Sequence, residues 1–187
     1  MKTLKPAAAH DRLLDLRTFL DVLVAAGHIT VQQLEAVINN RRSESQYKLH
    51  VLTWIAEQNL DDRLSPGKKL DIETLTQKLA ALSGQAYYRI DPLTIDAAKV
   101  TGVMSLAFSQ RHKILAVEVT SVDVVIASAE PFVGAWEADL EHTLRKPIRR
   151  VVANPVEVLR LATELYRLSS SINFATAKVA SKAPGLG

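Results

Sequence analysis

Cysteine is absent from this chain, which excludes disulfides and cysteine-ligated zinc and fits a reducing compartment. Aromatic residues supply only 5% of the sequence, so any core must be built mainly of Leu, Val, Ile and Ala. No apolar run approaches the roughly 20 residues that a membrane-spanning helix needs. The first residues carry lysines, but their apolar run is too short for a secretory leader and charges follow at once. Neither sign of charge dominates. A formal net charge of +3 by itself points to neither nucleic acid nor membrane. A hydrophobic content of 48% with 23% charged residues is that of a soluble globular protein, and 187 residues suffice for one ordinary domain or two small ones. The expectation is a soluble, cytoplasmic chain.

Catalytic signatures are missing as well. The phosphate-binding pattern G-x-x-x-x-G-K-[ST] wraps backbone amides around phosphates and brings a lysine to them. Pro66-Gly67-Lys68-Lys69 has only the Gly-Lys pair, without the earlier glycine, the following Ser/Thr or a preceding strand. His10, His28, His50, His112 and His142 show no metal-ligand spacing. Glu130, Glu137, Asp139 and Glu141 read as the acidic first half of a helix whose last turn is basic, as the macrodipole favours. The densest basic cluster, residues 145–150, would be split by strand alternation between Arg149 and Arg150 and has no aromatic platform for bases. The chain as it stands is expected to be non-catalytic.

The first 84 residues read as helical. Leu13, Leu16, Leu20, Leu23 and Val24 recur at helical spacing over 11–26, with Gly27 as a left-handed cap. Thr30 and Gln33 form a capping box for a second helix carrying Val31, Leu34, Val37 and Ile38 on one face. Residues 39–46 are polar and read as a connection. A third helix is predicted over 47–58, with Leu52 and Ile55 inward and Trp54 partly so, ending at Asn59. A Pro-Gly loop spans 61–69. Asp71 then caps a fourth helix that buries Ile72, Leu75, Leu79 and Leu82 and stops at Ser83-Gly84. Gly27, Thr30 and Leu34 correspond to Asn59, Asp71 and Leu75 in a weak internal repeat, the second copy carrying the longer loop.

Residues 85–168 alternate instead. Strands are predicted near 87–90, 114–119, 122–127 and 148–152, the middle two as a hairpin through Thr120-Ser121 with one face of 114–119 more polar. Helices are expected from Asp96 toward Val100, through Val103 and Met104 to Ser109, and over 132–145 with Trp136, Leu140 and Leu144 in line. Asn154-Pro155-Val156-Glu157 opens a last helix that buries Val158, Leu159, Ala162, Leu165 and Tyr166. Residues 169–187 read as a Ser/Ala/Lys-rich linker or tail. The fold class is therefore α+β: a helical N-terminal segment, then a small mixed α/β domain whose short sheet is flanked by helices.

The landmarks of that second part are Tyr87-Tyr88-Arg89-Ile90-Asp91-Pro92-Leu93, 112–119, Ala127-Ser128-Ala129-Glu130-Pro131-Phe132 and Arg149-Arg150-Val151-Val152-Ala153-Asn154-Pro155. In order and spacing they resemble the N-terminal domain of type II secretion and type IV pilus assembly ATPases, the general secretion pathway protein E family. The likeness is strongest over about residues 70–168. It implies a module that precedes a linker and an ATPase body, so the chain resembles the N-terminal portion of a longer ATPase. It also implies a docking partner: the cytoplasmic part of an inner-membrane platform protein (protein L in type II secretion). The chain would then be cytoplasmic and peripheral to that membrane through its partner.

Some members of this family carry tandem motifs of the form R-L-G-x-x-L-V-x-x-G-x-I-[TS]-x-x-Q-L that bind cyclic di-GMP. Here Leu23, Val24, Gly27, Ile29, Thr30, Gln33 and Leu34 match the latter part, whereas Thr18-Phe19-Leu20 stand where R-L-G should and Arg17 lies one position early. The resemblance thus offers Arg17, Leu23, Val24 and Gly27 as degenerate cyclic di-GMP ligands. Loss of the arginine removes a planar cation suited to a phosphate or a guanine edge. A helical scaffold that has lost the ligand, in an ATPase fragment that docks, is the reading these residues favour.

Overall fold

The computed structural model describes residues 11–180. Helix α1 (Leu16–Ala25) starts where the Asp15 carboxylate accepts the Thr18 N–H at 2.8 Å. It buries Phe19, Leu20 and Leu23. The predicted start at residue 11, with Leu13 inward, does not hold: Leu13 is 67% exposed and Leu14 is buried. Residues 11–14 lie outside the helix because their backbone bonds elsewhere in the fold. Gly27 takes the left-handed conformation (φ +82°) and Thr30 forms the expected reciprocal box with Gln33 to open α2 (Val31–Asn39). Val31 itself faces solvent.

A second capping box, Ser43 with Gln46, nucleates the one-turn α3 (Glu44–Tyr47) inside the polar connection. It shortens the third predicted helix to α4 (Val51–Glu57), whose N-cap is His50: Nδ1 accepts the Leu52 N–H at 3.1 Å. Trp54 is fully buried rather than partly so. Asn59 is left-handed (φ 54°), as its alignment with Gly27 requires. Asp71 caps α5 (Ile72–Ser83), which ends at left-handed Gly84. The buried face of α5 is Leu75, Thr76, Leu79 and Ala80, and Leu82 is largely exposed.

The second part alternates strands with short helices. Strand β1 (Ala86–Tyr87) leads through a 3-10 turn (Pro92–Thr94) to α6 (Ala97–Thr101) and α7 (Leu106–His112). Then come β2 (Ile114–Val119), β3 (Val124–Ser128), α8 (Ala135–Leu144), β4 (Ile148–Val152) and α9 (Pro155–Ala180). The sheet order is β1-β4-β3-β2. β2 and β3 are antiparallel; β3 and β4 are parallel, joined by the α8 crossover that a parallel pair needs. Thr120 does the work of a turn glycine or asparagine: its hydroxyl accepts the Val122 and Asp123 N–H groups, and its N–H reaches the Asp123 carbonyl at 3.0 Å. Ile114, Leu115, Ala116 and Val117 are buried in succession, so both faces of β2 are covered as far as Val117, and the polar face expected is reduced to the exposed Glu118.

Two apolar clusters result. One joins the sheet to α6, α8 and α9; the other joins α1, α2, α4 and α5 and takes in Val152 from β4. The helical segment therefore packs directly on the sheet. On α9 the inward stripe is Val158, Leu161, Ala162 and Leu165, and Leu159 points outward. This helix continues through the Ser-rich stretch that reads as a linker from residue 169. Ser170 and Ser171 hydroxyls donate to the carbonyls four residues back, at 2.9 and 3.0 Å, which keeps their side chains compatible with the helix. The remainder of that predicted tail, 181–187, lies outside the described residues, as does His10.

Candidate functional site

The loop between β3 and α8 gathers the polar contacts that join the two parts. Glu130 is buried there, not on the helix face to which the sequence assigns it. Its Oε2 accepts the Leu14 N–H at 2.8 Å, and its Oε1 lies 3.2 Å from His50 Nε2. The same His50 nitrogen is 3.0 Å from the Ala129 carbonyl. Because His50 Nδ1 is occupied in capping α4, the ring proton belongs on Nε2, facing Ala129 and Glu130. Helix α8 has no cap of its own, since Gly134 has no side chain. Asp11 supplies one from the far end of the sequence, accepting N–H groups of Gly134 at 2.9 Å and Ala135 at 3.1 Å. Chiefly the Gly134 N–H holds the Asp11 carboxyl below its ordinary pKa.

Arg150 closes the loop from β4. It donates to the Pro131 and Val133 carbonyls at 3.0 and 2.7 Å, lies 3.6 Å from the Glu137 carboxylate and covers the Trp136 ring. Burial pulls its pKa down, opposed mainly by Glu137. Arg149 faces the other way and pairs with Asp123 and Glu118, so strand alternation splits the basic cluster as expected.

A groove of about 250 Å³ beside β1 is lined by Glu73, Tyr88, Arg89, Ile90, Asn154 and Glu157. Its central carboxylate is already engaged: Glu73 accepts the Tyr87 hydroxyl at 2.5 Å and the Asn154 amide at 2.7 Å. Burial and then Glu73 raise the Tyr87 pKa. Among the described residues no cluster of three His, Asp or Glu side chains is placed to hold a metal.

The residues aligned with the nucleotide motif do not converge on a cavity. Leu23 is a core residue, 1% exposed, and Val24 is half-buried against the same cluster. The Arg17 guanidinium pairs with Asp21 at 3.4 Å and with Glu35 at 3.3 Å. Leu20, in place of a motif glycine, is fully buried, so no ligand meets the backbone there. Gly27 keeps the required conformation, but a Cβ built on it would stand 3.7 Å from Leu64 Cδ2, on the 61–69 loop. Sequence reasoning missed His28–Asp62 and His50–Glu130, two buried histidine–carboxylate pairs at 2.8 and 3.2 Å. Both join residues remote in sequence, which local spacing does not reveal.

Residues 83–172, which hold the sheet and the helices around it, match the MshEN domain family. Over 161 residues, 86% of its length, the chain is 35% identical to the type IV pilus assembly ATPase TfpB of Acinetobacter baylyi, of which it spans 28%. The chain is thus similar to the MshEN domain family over its second half, and over most of its length to part of a type IV pilus assembly ATPase. Two solved structures are similar to the chain at 13% identity. One is MshE with cdg, with a TM-score of 0.49 over 82% of this chain and 99% of that one. The other is the N-terminal domain of XpsE, with a TM-score of 0.48 over 81% and 96%.

Proposed function

We propose that this chain is the docking and regulatory portion of a type IV pilus assembly or type II secretion ATPase. It binds the cytoplasmic part of the inner-membrane platform protein, a protein L-like domain, and so holds the motor at the cytoplasmic side of that membrane. The distal part of α9 leads toward the ATPase body. The observation that carries this reading is the match to the MshEN domain family within a chain similar to TfpB over most of its length. The geometry supports it: the polar groups at the centre of the molecule are consumed in joining helices to sheet, whereas Leu93 stands 95% exposed on a 3-10 turn. That turn is rigidly built, with Asp91 accepting the Leu93 N–H through its carboxylate and the Thr94 N–H through its carbonyl. An apolar side chain on a fixed corner is a suitable anchor for a partner's pocket.

The test is co-purification of the full chain with platform cytoplasmic domains from its own source. Retention that is lost with Leu93→Asp supports the reading; failure to retain any of them refutes it. The second reading, cyclic di-GMP sensing through Arg17, Leu23, Val24 and Gly27, has in its favour the intact Gly27 turn and Thr30 capping box. Against it stand the acid-paired Arg17 and the buried Leu20.

A further inference from the structure

The loop over Gly27 is a built element. Asp61 pairs with Lys69 as an antiparallel bridge and by an ion pair of 2.7 Å. Between them the Asp62 N–H donates to the Lys68 carbonyl at 2.9 Å, and the Asp62 carboxylate accepts the Leu64 N–H at 3.0 Å. Two contacts fasten the loop to the α1–α2 turn. His28 Nδ1 meets Asp62 Oδ1 at 2.8 Å with both side chains buried, and the Arg63 N–H donates to the His28 carbonyl at 3.1 Å. Leu64 then lies over the Cα of Gly27. A Cβ on Gly27 would still meet Leu64 only at ordinary contact distance, 3.7 Å, so the loop covers the turn without needing the glycine, and what covers it is the chain itself.

We propose that the 61–69 loop is an intramolecular strap. It occupies the face of the Gly27 turn and holds the α1–α2 pair closed against the rest of the helical segment, so the pair keeps its arrangement without a nucleotide. The inserted residues that distinguish the second helix pair from the first are, on this view, the device that replaces a ligand. The inference is independent of the docking reading, because it concerns only contacts within the helical segment.

Two measurements on the full chain test it. Calorimetric titration with cyclic di-GMP to about 100 μM, the range of weak but measurable binding, is expected to give no binding. Micromolar binding would overturn the proposal. Amide hydrogen exchange at Gly27 and His28 is expected to speed up by about tenfold or more in Asp62→Ala, which leaves His28 buried without its partner. Leu64→Ser alters an exposed side chain that does not threaten the fold, and it should accelerate the same two amides without lowering global protection. Unchanged exchange at Gly27 and His28 in folded Leu64→Ser would show that the loop does not hold the turn and would overturn the proposal.

Discussion

Leu14 and Glu130 lie 116 positions apart, yet the Leu14 N–H donates to the Glu130 carboxylate at 2.8 Å inside the protein. That bond, with the His50 contact on the other carboxylate oxygen, ties the N-terminal helices to the sheet. Removal of the carboxylate strands the buried Leu14 N–H and leaves His50 Nε2 only the Ala129 carbonyl. Glu130→Ala should destabilise the chain by about 2 kcal/mol or more, whereas Glu130→Gln, which keeps an acceptor, should cost less. Thermal or urea unfolding of both variants checks the order; equal losses would mean the carboxylate is not the joint.

Asp11 caps α8 from outside that helix. Asp11→Ala should cost about 1 kcal/mol, and Asp11→Asn only a small part of it, since asparagine caps well. The sign with pH follows from the depressed pKa that the Gly134 N–H imposes. The stabilisation is present above the ordinary carboxylate pKa of 3.8 and is lost as pH falls through the lower folded value. The gap between wild type and Asp11→Ala in unfolding experiments should therefore be full at pH 7 and shrink in strong acid.

Gly27 and Asn59 end equivalent helices with positive φ. Gly27→Ala should cost about 1 kcal/mol from backbone strain alone, because the added Cβ meets Leu64 only at ordinary contact distance. Asn59→Gly should be neutral or slightly stabilising. Denaturant melts that showed the opposite order would remove the equivalence.

Leu93→Asp should leave the melting temperature unchanged, since the side chain contributes nothing to the core, yet weaken partner binding. A fall in stability would show that the corner serves the fold and not the interface.

Much of this fold is legible in the sequence because its signals are local. The Thr30–Gln33 box, the Asp71 and Asn154 caps and the left-handed stops at Gly27, Asn59 and Gly84 each act within a few residues. Helical spacing points Leu13 and Leu159 inward, yet both are exposed, because spacing cannot say where a helix begins or which of two adjacent stripes meets the core. At the start of the chain the decision falls to Asp15, which caps α1 four residues later than periodicity suggests. The joint itself was not legible. His50, Glu130, Asp11 and Gly134 carry no mutual spacing, and only the folded chain brings them together.

The most direct test of the account is calorimetric titration of the full chain with the purified cytoplasmic domain of its platform protein. The account predicts saturable binding with one domain per chain, unchanged by cyclic di-GMP and weakened by Leu93→Asp. No binding to the platform domain, with tight binding of cyclic di-GMP in its place, would contradict it.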